Sequence, residues 1–322
     1  MESMDLEVVG LGALNIDHIY KVERILADVE AVVNSPISSP GGSAANTIYG
    51  LARLGVPSGF LGVVGDDAEG EMMLRDFQKV GVDTSHVRAK RGTRTGSVLC
   101  LSDREGRRSL YVMPGANNRL TVDDLDMTYV NQAKILHLSS FAGSKQFKVL
   151  RELTERLGTQ VKVSFAPGAL YTVKELKALA PILARAHLLF INGDEIGWLT
   201  GKDYKAGAET CLRQGCRIVV VTLGKGIKPE PGEGTAVCYI RDADGEYFVI
   251  GSQDPVPEVD TTGAGDAFAA GFLYGYLDSK GLAECGWLGN IVAQSSITRI
   301  GARAGLPTAA QLSELYRELY LK

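Results

Sequence analysis

Asp260 to Leu277, DTTGAGDAFAAGFLYGYL, sets an acid, a run of small residues and a second acid directly against an apolar, helix-like stretch. Gly263, Ala264 and Gly265 leave the main chain almost bare, so several N–H groups can point at one anion. The positive end of the following helix adds to that attraction. Asp266 then stands where the anion would dock. A carboxylate there repels the ligand unless its task is to take a proton from the group attacking it, which is what phosphoryl transfer to a hydroxyl requires. Taken alone, the segment fits equally well an ordinary tight turn followed by a first-turn acid favoured by the helix dipole.

Four further stretches carry polar groups at strand or helix ends. GLGALN (Gly10 to Asn15) follows a strand-like run, but Asn15 replaces the third glycine of a dinucleotide GxGxxG and no helical pattern follows. Asn15 and Asp17 instead offer an amide and a carboxylate, suited to sugar hydroxyls or to an Asx turn. In GGSAAN, Gly41 and Gly42 let a ligand approach the backbone and Asn46 can both donate and accept, although glycines also serve close helix packing. In NGDE, Asn192 and Glu195 lie one helical turn apart after the strand HLLFI. Such a carboxylate suits a hydrated Mg2+, and equally an N-cap with an acidic first turn. TLGKG (Thr222 to Gly226) closes another strand with a glycine turn suited to nucleotide phosphate or ribose. No GxxxxGK[ST], metal-spaced histidines or nucleophile elbow occurs.

These groups need elements to hold them. LEVVGLG and GFLGVVG read as buried strands, Gly41–Leu54 as a helix, and Glu71–Val80 as an amphipathic helix ending at Gly81. TGSVLCLSDREGRRSLYVMPG is two alternating stretches joined by DREG, a hairpin signal. From Asp123 onward ILHLSSF, VKVSFAP, HLLFING and RIVVVTLG alternate with the helical segments Lys145–Leu157, Val173–Ala184 and Lys205–Gln214. That alternation predicts an α/β fold with a mostly parallel sheet flanked by helices and ligands at the strands' carboxyl ends. A second hairpin, GEGTAVCYIRDADGEYFVIG, and three helical segments complete the chain. One α/β body is expected, with a small β appendage built from about 18–40 and 92–114.

Composition narrows the classes. The 322 residues are 45% hydrophobic, which allows a substantial core. A net charge of −4 with interspersed signs argues against nucleic acid or an anionic membrane as partner. The N-terminus has acids where a signal peptide needs bases, and the apolar stretch after Asp266 is too short to span a bilayer. Five cysteines without a CxxC pair read as reduced, buried residues of a cytoplasmic protein.

In this order the motifs GLGALNID, GGSAAN, VMPGANNRLT, NGDE, TLG, DTTGAGDAFAAG and TRIGA resemble the ribokinase-like (PfkB) carbohydrate kinases along essentially the whole chain. The resemblance implies a Rossmann-like body, a β lid over the sugar, pairing of two copies through that lid, and ATP with Mg2+ as cofactors. It implies Asp266 as base and Gly263, Ala264, Gly265 and the Asp266 amide as anion hole. Asn15, Asp17, Gly41, Gly42 and Asn46 match acceptor-binding positions. Asn192 and Glu195 match the NxxE motif tied to Mg2+ and phosphate, with Glu195 acting through water. Thr222, Gly224 and Asn290 match nucleotide contacts. Asp260 and Thr262, with carbonyls near Ser296, Arg299 and Gly301, match a monovalent-cation (K+) site. The chain departs from the pattern in a TLGKG one residue short, an added Ile227–Gly234 segment, Ser139 where ribose-specific members carry an acid, and Gly305 at a cation-ligand position. The implied reaction is phosphorylation of a hydroxymethyl group on a sugar, with a nucleoside as the alternative acceptor. An NAD-dependent oxidoreductase leaves DTTGAGD unexplained, and an intact Asp266 argues against a silent sugar-binding protein.

Overall fold

The computed structural model describes residues 6–26, 30–33, 35–104, 108–229, 234–251 and 256–320. Parts of the DREG turn, of the segments expected to form the appendage (27–29, 34 and 105–107) and of the Ile227–Gly234 addition (230–233) lie outside them.

In chain order the strands are β1 (Val8–Leu11), β2 (Asn15–Lys21), β3 (Ile37–Gly41), β4 (Ser58–Gly65), β5 (Val87–Lys90), β6 (Gly96–Ser102), β7 (Arg108–Met113), β8 (Ile135–Ser139), β9 (Lys162–Ala166), β10 (Ala186–Asn192), β11 (Ile218–Ile227), β12 (Ala236–Arg241) and β13 (Glu246–Ile250). The α-helices are α1 (Ser43–Arg53), α2 (Ala68–Lys79), α3 (Met127–Val130), α4 (Ser144–Arg156), α5 (Gly168–Thr172), α6 (Leu176–Leu183), α7 (Gly193–Thr200), α8 (Tyr204–Arg213), α9 (Ala264–Leu277), α10 (Leu282–Ser296) and α11 (Ala309–Tyr320).

Nine strands form one sheet in the order β13-β12-β11-β10-β9-β8-β1-β4-β5, and only the β12 and β13 pairings are antiparallel. Alternate side chains feed two cores. Val9, Leu11, Leu136, Val219 and Val221 face one helical layer, and Val8, Ile135, Ile218 and Val220 face the other. Burial on both faces is why these strands read as unbroken apolar runs. A separate four-stranded sheet, β3-β2-β6-β7, pairs β2 with β6 in parallel and the two outer strands antiparallel. It stands beside the ends of β1 and β4. The Asp67 carboxylate at the head of α2 accepts from Thr95 N at 2.8 Å and Thr95 Oγ1 at 2.6 Å, just before β6.

The α/β class and the order of elements agree with the sequence reading. As the missing helical pattern after GLGALN implies, β1 runs through Gly12 into β2 and no helix follows it. One local expectation needs correction. TLGKG is not a turn that ends its strand. β11 continues to Ile227 through a register irregularity, carried by Gly224 (φ 58°) and Gly226 (φ 89°), where left-handed backbone makes glycine the favoured residue.

Candidate active site

Asp266 lies in the first turn of α9, half-buried, at the point where α1 crosses in from the other half of the chain. Both carboxylate oxygens are held from α1: Ser43 Oγ donates to Oδ1 at 2.7 Å and Asn46 Nδ2 donates to Oδ2 at 2.9 Å. Thr47 Oγ1 donates to the Asp266 carbonyl at 3.3 Å. Burial pushes the Asp266 carboxyl up to about 6, against the lowering effects of Asn46, Ser43 and Arg303.

The turn before α9 has amides to spare. Ala264 N donates to Thr261 O at 3.2 Å, while the N–H groups of Gly263, Gly265 and Asp266 have no partner among the described residues. Three of the four predicted amides are therefore available to an anion. The glycines divide their work. Gly263 has φ 76°, and a Cβ there would collide with Ala302, so its conformation and packing demand glycine. Gly265 faces open space. It is the residue that leaves room for a ligand beside the helix start.

That space is a cavity of about 120 Å³ that joins Asp266 and Gly265 to Ser43, Asn192, Glu195 and Thr222. Asn192 and Glu195 form a capping box on α7: Glu195 N donates to Asn192 Oδ1 at 2.8 Å and Asn192 N donates to Glu195 Oε2 at 3.1 Å. The N-cap role and the site role thus coexist, because one Glu195 oxygen is spent on the cap. Burial is the main cause that raises the Glu195 carboxyl above its ordinary range.

A wider groove of about 990 Å³ opens from the same ends of β11 and α9 and takes in Gly224, Lys225, Ala264 and Asn290. The Asn290 Nδ2 is buried without a hydrogen-bond partner. Other atoms of Asn290 line the groove, so its unpartnered amide sits just behind the groove wall. No cluster of three or more His, Cys, Asp or Glu able to hold a metal occurs among the described residues. An Mg2+ beside Glu195 would take most of its oxygens from phosphate and water, which is usual for this ion.

The predicted acceptor residues lie on β2 (Asn15, Asp17), at the end of β3 (Gly41) and at the start of α1 (Gly42, Asn46), with Asn46 in direct contact with Asp266. Asn15 pairs with Gly41 across β2 and β3, and a side chain at Gly41 would strike the Asp17 carboxylate. Gly42 has φ 103° at the head of α1, and a Cβ there would strike the Ala13 carbonyl. It is therefore required by backbone conformation before any ligand is considered. Burial pushes Asp17 up to about 7, with Arg303 opposing and Asp266 and Asp260 reinforcing the shift. Ser139 is spent on the head of α1, accepting from Ala44 N at 3.0 Å.

The monovalent-cation set is only partly drawn together. Both Asp260 oxygens accept amides, from Thr262 N and Gly301 N at 2.9 Å each, and Thr262 Oγ1 accepts from Arg108 of the small sheet at 2.9 Å. Ser296 is buried, with its carbonyl against Gly305, whereas Arg299 opens onto a different cavity along α11. Each Asp260 oxygen keeps a second lone pair beyond the amide it accepts.

Sequence reasoning missed Asn117 and Arg303. Asn117 holds Leu14 N and O and the Asn15 side chain at 2.9–3.0 Å, and it falls within the VMPGANNRLT motif. Arg303 is 6% exposed and follows TRIGA with no local signal of its role.

Comparison with known proteins places this geometry in context. The model for the pfkB family carbohydrate kinases matches residues 5–309. An uncharacterized sugar kinase of Archaeoglobus fulgidus is 39% identical over 258 residues, covering 80% of this chain and 98% of that one. An ATP-dependent ribose-1-phosphate kinase of Halopiger xanaduensis is 31% identical over 317 residues, covering 98% of this chain and 99% of its own. The ribokinase crystal structure from Thermotoga maritima shares the fold, with a TM-score of 0.81 over 97% of this chain and 99% of that chain at 24% identity.

Proposed function

The chain belongs to the pfkB family of carbohydrate kinases, and from that premise we propose that it moves the γ-phosphate of ATP to a hydroxymethyl group of a sugar, with Asp266 as general base. The observation that carries this reading is the base itself. Asp266 stands among three unpartnered amides at a helix start, its two oxygens fixed by Ser43 and Asn46, in a cavity whose Gly265 wall adjoins, through Ala264, the groove that Asn290 lines.

The acceptor hydroxyl enters from the side of Asn15 and Asp17, whose polar groups bind the remaining sugar hydroxyls. Asp266 takes the hydroxyl proton as the oxygen attacks phosphorus. The amides of Gly263, Gly265 and Asp266 hold the negative charge that spreads over the transferring group, which is where most of the catalysis in phosphoryl transfer lies. Mg2+, when bound near Glu195 through water, neutralises phosphate charge. K+ beside the 260–262 and 296–301 segments is proposed on the same family pattern. The small sheet, which carries Asp17 on β2 and is tied by Arg108 to Thr262, serves as the lid. Ribose 1-phosphate is the first acceptor to try, because the Halopiger relative aligns end to end.

Acceptor-dependent ADP release across ribose, fructose, ribose 1-phosphate and adenosine tests the activity and separates sugar from nucleoside acceptors. Asp266→Asn is expected to lose at least ~10² in kcat, the usual worth of a positioned base, while ATP binding measured by titration survives. Near-normal turnover in that variant would refute the assignment.

A further inference from the structure

Arg303 is among the most buried charges of the molecule, and no part of the mechanism above uses it. Its guanidinium donates from Nε to Asn46 Oδ1 at 2.9 Å and from Nη1 to Asp76 Oδ2 at 2.8 Å. The rings of Tyr49 and Phe77 lie 4.9 and 5.2 Å from its centre and fix the plane of the fork. The Met73 sulfur stands 3.9 Å from both terminal nitrogens.

The chemistry of the two partners gives this arrangement a direction. An amide can be turned end for end, and either end of Asn46 could in principle face Asp266. Arginine has donors only. The Asn46 atom that meets Nε must therefore be the carbonyl oxygen, which leaves the NH2 group to face Asp266 Oδ2. The reversed amide would set a carbonyl against a carboxylate and leave the buried guanidinium without its partner.

We propose that Arg303 is a positioning residue: through Asn46 it holds the base of the proposed kinase in one rotamer, so that Asp76, Arg303, Asn46 and Asp266 act as one chain of contacts from α2 to α9. On this view Asn46 serves the base at least as much as the acceptor. The inference rests on the kinase reading, and the test keeps the two apart. A lysine has the charge but not the fork, so it cannot reach Asn46 and Asp76 together.

The experiment is a double-mutant cycle in kcat on the best acceptor of the panel, using Arg303→Met, Asn46→Ala and the double variant, with Asp266→Asn as control. Arg303→Met is expected to lower kcat roughly 10- to 100-fold, the scale of a small misplacement of a reacting group. Its ATP KM should stay within about threefold of wild type if no direct nucleotide contact is lost. Because Arg303 acts through Asn46, the double variant should be no worse than Asn46→Ala alone. Multiplicative losses, or a wild-type kcat in Arg303→Met, would overturn the proposal. Should Arg303→Met fail to fold, Asp76→Asn keeps the arginine and loosens its anchor. A kcat about three- to tenfold down, again non-additive with Asn46→Ala, supports the chain of contacts, and an unchanged kcat sinks it. If Asp266→Asn is also fully active, the assignment of Asp266 as base fails instead, and if no acceptor of the panel releases ADP the kinase reading itself fails. If only Asp266→Asn collapses, the positioning role alone is lost.

Discussion

Burial and hydrogen bonding pull the acidity of Asp266 in opposite directions, and burial wins. With its carboxyl near 6, the proposed base is ionised at neutral pH but close enough to its titration to give an acid limb. We expect kcat/KM to fall about tenfold for each pH unit below 6, a limb absent from the residual rate of Asp266→Asn. Asp17 shows the cost of keeping a polar floor under the acceptor. Its folded value of about 7 lies above the ordinary 3.8, so the native state holds its proton more tightly than the unfolded chain does. The resulting stability is complete below about pH 4 and is lost as pH rises through 7. Asp17→Asn is therefore expected to raise Tm at pH 8 by on the order of 3 °C, to change Tm little at pH 4, and to weaken acceptor binding. Equal Tm shifts at both pH values would remove the explanation.

At the scale of elements, the start of α9 separates two kinds of glycine that look alike in the sequence. Gly263→Ala meets a left-handed φ and the Ala302 side chain together, and should destabilise by about 2–5 kcal/mol. Gly265→Ala meets nothing. It should leave stability within about 0.5 kcal/mol yet reduce kcat/KM for ATP, because the new methyl would enter the open space proposed to take the phosphate. Thermal melts and steady-state kinetics on the two variants check both halves, and a stable but inactive Gly263→Ala would reverse the division. Local patterns made the strands, the helices and the DTTGAGD turn legible, since small residues before an apolar helix advertise bare backbone. The same sequence did not reveal why Gly263 is glycine, because Ala302 reaches it only through the folding back of the last segment. Arg303 was hidden for the same reason: its partners on α1 and α2 lie 257 and 227 residues away in the chain. The continuation of β11 past Thr222 was also missed, since its two left-handed glycines signal a turn and a strand irregularity alike.

At the scale of the whole molecule, the small sheet presents Leu110, Tyr111, Val112 and Met113 of its edge strand β7 to solvent. An exposed apolar edge invites a partner strand, and a second copy of the chain is the partner expected from the family. Sedimentation should find two 34.5 kDa chains together, and lysines at Leu110 and Tyr111 should part them; a wild-type monomer would end that expectation. The grip of α1 on Asp266 has a consequence of another kind. Ser43 emerges from the ribosome early and must wait for a residue 223 positions later, a delay of roughly 10–45 s at ordinary rates of synthesis. Until then α1 has no carboxylate to hold, so the proposed proton transfer must wait until both halves of the chain have been made and have met.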